Sequence, residues 1–290
     1  MIDLTNVQIH WFPGHMKKAL NQIEEKTKVV DVVVELIDSR IPFSSLNPYF
    51  ENRIKNKPKM LVLTKTDLCD TVKLGAFIEL LKNKGYIVVA GCLNDNLTIN
   101  NVKKGIKELT KGIQERWIKR GMKPQPVRAM IIGVPNVGKS TLINKLAKRK
   151  AAGVENKPGF TRSEQWVKVD NDFMLLDTPG VLPYNYENKE NAAKIALTGA
   201  IKEEILPKEI LANYLLDYFR VNDKNALNER FDIIINEQTN EQLLTLISVR
   251  RGLKQNNDYD FEKAITVLLK EFKEGLLGRF VLDNIEDARF

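Results

Sequence analysis

The chain has 290 residues, 43% hydrophobic and 28% charged, the balance of a soluble globular protein with room for about two domains. No run approaches ~18 apolar residues and the opening is too polar for a secretion signal, which argues against membrane-spanning and exported classes and predicts a cytoplasmic protein. The formal net charge of +8 is uneven: residues 1–189 carry 31 Lys and Arg against 19 Asp and Glu, whereas residues 190–290 carry 14 against 18.

In chain order, residues 16–25 read as a helix behind an opening Trp11-Phe12-Pro13-Gly14-His15. Residues 29–37 are nearly all apolar and β-branched, as in a strand buried on both faces of a parallel sheet. Two further short apolar runs, 60–63 and 86–90, flank a predicted helix at 72–84 that Gly85 is placed to end. Ile99, Val102, Ile106, Leu109 and Ile113 recur at helical spacing with Lys103, Lys104, Lys107 and Lys111 between them, an amphipathic helix with a basic outer face. After a linker at 121–126, strands are predicted at 127–132, 165–169 and 173–176, with a helix at 141–149. This alternation predicts a doubly wound α/β domain with a mostly parallel sheet over residues 1–184. Beyond Pro183 only helical periodicity remains, at 192–205, 208–219, 242–251 and 261–272, which predicts a small all-helical domain over 185–290. Cys69 and Cys92 show no metal spacing and read as free thiols.

Gly133-Val134-Pro135-Asn136-Val137-Gly138-Lys139-Ser140 fits the phosphate-loop pattern G-x-x-x-x-G-K-[ST] between a strand and a helix. Backbone N–H groups of such a loop, with Thr141 opening the helix, surround phosphate oxygens without side-chain crowding. Lys139 is placed to reach the β- and γ-phosphates and to act in catalysis, and Ser140 to offer its hydroxyl to Mg²⁺. Asp177-Thr178-Pro179-Gly180 follows an apolar strand about 40 residues later and fits D-x-x-G. Asp177 would support the magnesium shell, and the Gly180 N–H would face the γ-phosphate. Between them, Thr161 in Pro158-Gly159-Phe160-Thr161-Arg162 is the candidate switch threonine, a third magnesium ligand.

Thr64-Lys65-Thr66-Asp67 is the candidate guanine loop. The Asp67 carboxylate would accept from the guanine N1–H and exocyclic amine, two donors that adenine does not offer there, while the Lys65 stem lies along the ring. Thr64 stands where most such loops have Asn. Gly91 and Cys92, after the 86–90 strand, occupy the second base-contacting position without the usual Ser-Ala-Lys. The guanine loop comes about seventy residues before the phosphate loop instead of well after it. That inversion predicts a circularly permuted P-loop GTPase domain. Val181 follows Gly180 where small GTPases place a water-orienting glutamine. An apolar side chain there predicts slow intrinsic hydrolysis and a water-positioning group from elsewhere, for which His15, behind a Pro-Gly turn, is the candidate.

Taken together, these motifs resemble the circularly permuted YlqF-type GTPases. The resemblance is carried by Trp11-Phe12-Pro13-Gly14-His15-Met16 with Lys18-Ala19, by Asp38-Ser39-Arg40-Ile41-Pro42 with Ser44-Ser45 and Asn47-Pro48, and by the motif order through residue 181. The tail matches more loosely, through Arg250-Arg251-Gly252 and residues 272–282. It implies a monomeric GTPase that binds GTP and GDP and matures the large ribosomal subunit, with hydrolysis stimulated by that subunit. It also implies an RNA-contacting C-terminal domain, a catalytic His15, and a potassium ion held by Asn136. Either a local patch of Arg250, Arg251 and Lys254 or the basic 103–128 stretch would make the rRNA contact. Two other readings share these motifs: a nucleotide-dependent RNA-binding module with incidental hydrolysis, and a GTPase acting on the small subunit or tRNA.

Overall fold

The structure, a computed structural model, describes residues 14–54, 57–123, 125–148, 165–169, 172–182, 189–201, 206–255 and 258–287. Six strands form one sheet: β1 (Val32–Asp38), β2 (Lys59–Thr64), β3 (Ile87–Ala90), β4 (Val127–Gly133), β5 (Gln165–Lys168) and β6 (Phe173–Asp177), in the order β3-β2-β1-β4-β6-β5. All neighbours are parallel except β5, which runs antiparallel to β6 at one edge. β1 is buried along its whole length because helices cover both faces of the sheet. Its alternate residues Val32, Val34 and Leu36 join one apolar cluster with α4 (Asn96–Lys119) and α5 (Lys139–Ala147). Val33 joins the opposite cluster with Ala19, Leu20 and Ile23 of α1 (Gly14–Thr27) and Phe50 of α2 (Pro48–Arg53). Ile37, Leu61 and Leu63 pack with α3 (Thr71–Asn83). Each Val, Leu, Ile or Phe among these contributes about 1.5–3 kcal/mol on burial.

Local signals set the helix ends. The Asp70 carboxylate caps α3 by accepting from the N–H groups of Val72 and Lys73, and Gly85 closes it at φ +86°. Asp95 caps α4 in the same way, through Leu97 and Thr98. The predicted strand at 29–37 starts later, at Val32, because the chain first turns out of α1, where Val29 N–H bonds the Lys26 carbonyl.

Beyond the sheet come α6 (Lys189–Leu197), α7 (Lys208–Asn222), α8 (Asn228–Phe231), α9 (Asn240–Arg251) and α10 (Phe261–Lys273). The helix predicted at 192–205 is shorter at its C-terminal end: α6 stops before Gly199, which turns at φ +80°. Nor is this half purely helical. β7 (Lys254–Gln255) and β8 (Asp258–Tyr259) form a two-residue antiparallel ribbon, too short to leave an alternating pattern in the sequence. One buried cluster runs from the sheet through Leu182 into Ala192, Leu215, Ile247 and Phe272, so the core crosses the expected division at residue 184. After α10 the chain returns to the sheet. Leu282 N–H donates to the Arg40 carbonyl at 2.8 Å, and the Asp283 carboxylate accepts from Phe43 N, Ser44 N and Ser44 Oγ at 2.6–2.9 Å. No helix among the described residues is long and apolar enough to cross a membrane.

Candidate nucleotide-binding site

The candidate residues that the structure describes, apart from His15, follow the C-terminal ends of parallel strands, where open α/β sheets bind ligands. Register brings those ends together: Asp38 pairs with Thr64, Leu63 with Ala90, Leu36 with Gly133, and Ile131 with Asp177.

The phosphate loop joins β4 to α5. Gly133 sits at φ +145°, where a Cβ would lie 2.5 Å from the Leu36 carbonyl oxygen, so no other residue fits. Gly138 at φ +109° precedes α5, and the first turn of that helix, Lys139, Ser140 and Thr141, directs its N–H groups into the loop. Lys139 is 7% exposed, and its Nζ donates to the carbonyls of Gly133 at 3.1 Å and Val134 at 2.8 Å. Burial pushes its ammonium down to about 8, against the opposing pull of Asp177. A bound phosphate would replace these carbonyl partners with full negative charge.

Ser140 Oγ donates to Asp177 Oδ2 at 3.3 Å. The other oxygen, Asp177 Oδ1, is buried with no hydrogen-bond partner among the described residues. Burial raises this carboxyl, with Lys139 and Ser140 opposing the rise. An orphaned carboxylate oxygen beside a hydroxyl fits a hard divalent cation completed by phosphate oxygens, and P-loop GTPases as a class use Mg²⁺. The expected third ligand, Thr161, lies outside the described residues.

Gly180 packs on the phosphate loop, where a Cβ would come within 2.7 Å of Pro135 Cα. Val181 N–H bonds the Gly133 carbonyl at 3.2 Å, and its side chain is buried in the cluster that contains Ala19, Leu20 and Ile23 of α1. His15 lies in the first turn of that helix, and its side chain lies outside the described residues.

On the base side, Thr64 is fully buried, and its hydroxyl lies 2.8 Å from the Val137 carbonyl of the phosphate loop. It ties the two loops together instead of facing a ligand. Lys65 takes a left-handed backbone at φ +60°, and Asp67 is exposed on the turn that follows. Gly91 lies against α4, where a Cβ would overlap the Thr98 side chain; Cys92 is half-buried, and Leu93 reaches Gly138. Asn136 stands at φ +56° and donates from Nδ2 to the Gly199 carbonyl at 2.8 Å.

Two residues were not read as site residues from sequence. Asp38 binds Arg40 through both carboxylate oxygens, and its Oδ2 also takes Lys65 Nζ at 2.9 Å. The available signal was an acid closing the strand of residues 29–37 with an arginine two residues on.

The base loop precedes the phosphate loop in the chain, yet in space Thr64 and Val137 make them neighbours. A P-loop GTPase whose chain is opened at a different connection has this form, and the class is a circularly permuted GTPase. Residues 128–256 match a family model described as 50S ribosome-binding GTPase. The chain is 37% identical over 280 residues to the Ribosome biogenesis GTPase A of Bacillus cereus, spanning 96% of this chain and 95% of that one. It is 34% identical over 296 residues to the Mitochondrial ribosome-associated GTPase 1 of Ictalurus punctatus, spanning 94% and 92%. GNP-bound YlqF from T. maritima aligns with a TM-score of 0.65 at 27% identity, over 93% of this chain and 100% of that one. The chain belongs to the ribosome biogenesis GTPase A family and is a GTP hydrolase.

Proposed function

We propose that this GTPase is an assembly factor for late maturation of the large (50S) ribosomal subunit, slow alone and stimulated by that subunit. The family model's description supports the large subunit as target, and the relatives' names support ribosome biogenesis. The observation that carries slow, stimulated hydrolysis is the burial of Val181 in the apolar cluster of α1. The residue after D-x-x-G offers a water no hydrogen bond, while the helix whose first turn holds His15 packs beside it. In this reading His15 orients the attacking water, and Lys139 stabilises charge on the β- and γ-phosphates. Asn136, Val137, Gly138, Ser140 and Thr141 complete the phosphate cradle, and the Gly180 N–H meets the γ-phosphate. Ser140, Thr161 and Asp177 hold Mg²⁺, which neutralises phosphate charge when bound, and Asn136 takes K⁺. Lys65, Asp67, Gly91 and Cys92 contact the guanine, with Thr64 holding their loop to Val137.

The charge distribution supports rRNA as the partner through α4. Lys104, Lys111, Lys119, Arg120 and Lys123 are exposed on or just after this helix. In the tail, Arg250 is paired with Asp232 at 2.9 Å and Arg251 with Glu271 at 2.6 Å, which lowers that patch's capacity to release counterions from RNA. The protein acts as a cytoplasmic monomer. The test is GTP turnover in potassium buffer with purified large subunits, with small subunits, and alone. Stimulation by large subunits only is the expected result. Equal stimulation by both subunits, or GTP-dependent RNA binding with no stimulation, would overturn the reading in favour of a different target or a binding module.

A further inference from the structure

The turn that ends α6 receives a hydrogen bond from each side of the nucleotide site. Arg40 Nη2 donates to the Thr198 carbonyl at 3.1 Å, and Asn136 Nδ2 donates to the Gly199 carbonyl at 2.8 Å. Arg40 is 3% exposed and forks onto Asp38, with Nε on Oδ1 at 2.9 Å and Nη2 on Oδ2 at 2.8 Å. Asp38 Oδ2 also holds Lys65 Nζ. Burial alone would raise the Asp38 carboxyl, yet the Arg40 and Lys65 cations beside it hold it far below the usual carboxylate range.

Backbone strain sets this cluster apart from an ordinary buried ion pair. Four non-glycine residues among the described ones have positive φ: Lys65, Asn136, Lys148 and Asp232. Two of the four stand in the nucleotide loops. Each is held by a bond that leads to Thr198 or Gly199, directly for Asn136 and through Asp38 and Arg40 for Lys65. Left-handed backbone is strained at a lysine, milder at an asparagine, and persists where the surroundings over-determine it. Arg40 alone would neutralise Asp38. The third charge, on a lysine about a quarter exposed, is explained by what it does to the lysine.

We propose that Asp38 and Arg40 are positioning residues for Lys65, and that the Thr198–Gly199 turn is a common anchor through which the helical half sets both nucleotide loops. The first part rests on reading Lys65 and Asp67 as the guanine loop. By linkage, a partner that displaces the end of α6 lowers nucleotide affinity, and bound nucleotide holds that turn in place.

The test measures GDP affinity by displacement of a fluorescent guanine nucleotide, with unfolding midpoints recorded for every variant. Gly199→Ala has open space around the new Cβ, so it acts only by straining a backbone at φ +80°. Gly252→Ala is the control, equally open at φ +61° at the end of α9. The two should lose similar stability, but Gly199→Ala should weaken GDP binding by roughly tenfold, the scale expected for coupled neighbours, and Gly252→Ala by less than about twofold. Equal GDP affinities in the two variants would overturn the anchor. Asp38→Asn and Lys65→Ala should each weaken GDP binding, and the double variant should be no weaker than Lys65→Ala alone. Fully multiplicative losses would overturn the positioning role. Asp67→Asn separates the premise: unchanged guanine preference there refutes the guanine loop itself, and the glycine pair still judges the Asn136 arm.

Discussion

The phosphate loop is held mainly by its own backbone, with Asn136 as its side-chain tie to the turn at Gly199, whereas the base loop is held by charges from distant parts of the chain. Gly133, Asn136 and Gly138 supply the left-handed geometry, and α5 begins one residue after Gly138, so the phosphate cradle lies within nine consecutive residues, 133–141. Lys65 depends instead on Asp38, on Arg40, and on a carbonyl 158 residues from Arg40. A local device tolerates a chain opened elsewhere, whereas a long-range one ties the base loop to whatever packs against it. Substitutions on the two sides should therefore differ in kind.

The largest effect is expected at Lys139. Lys139→Ala should cost at least ~10²-fold in GTP turnover, because it removes a cation aimed at developing phosphate charge. The unfolding midpoint without nucleotide should hold or rise, since burial already disfavours that ammonium in the folded protein. A drop in midpoint as large as the one at Arg40 would erase the contrast. Arg40→Ala should destabilise by about 3–5 kcal/mol in urea, by leaving Asp38 without its main partner and two backbone carbonyls without a donor.

Acid titration sharpens the same comparison. The Asp38 carboxyl is depressed in the folded state, so the unfolded chain binds more protons there near its ordinary value of 3.8. Stability from this group is complete above that value and is lost as pH falls below it towards the folded-state value. Asp38→Asn should flatten the stability curve below about pH 4, read by denaturant melts. The smallest effect is chemical. Cys69 is buried and its thiol is pushed up to about 12, so it should resist alkylation in the native protein. Cys92 is half-buried, and if it contacts the base as proposed, GDP should slow its alkylation several-fold; labelling rates by mass spectrometry decide this.

Local chemistry was legible in the sequence. The strand at 29–37, Gly85 closing α3, the phosphate loop and the permuted motif order all follow from short-range rules, and the structure places them within a few residues. The early end of α6 and the β7–β8 ribbon were missed because a glycine turn and a two-residue ladder leave no periodic trace. The Asp38, Arg40 and Lys65 cluster was missed for a different reason. Asp38 and Arg40 are legible in the sequence as part of the family's motif, but their partners come from another strand end and from a turn beyond residue 190. In the tail, the sequence showed the basic residues Arg250 and Arg251 but not their acidic partners, Asp232 and Glu271, which come from other elements.

In the proposed function His15, on α1, positions the attacking water because Val181 cannot. The direct measurement is GTP turnover of His15→Ala at saturating large subunits, alongside its GTP dissociation constant. The expected result is a loss of about 10²-fold or more in stimulated turnover with affinity within about twofold of the parent. Unchanged stimulated turnover would contradict it and leave the catalytic group to be found on the ribosomal partner.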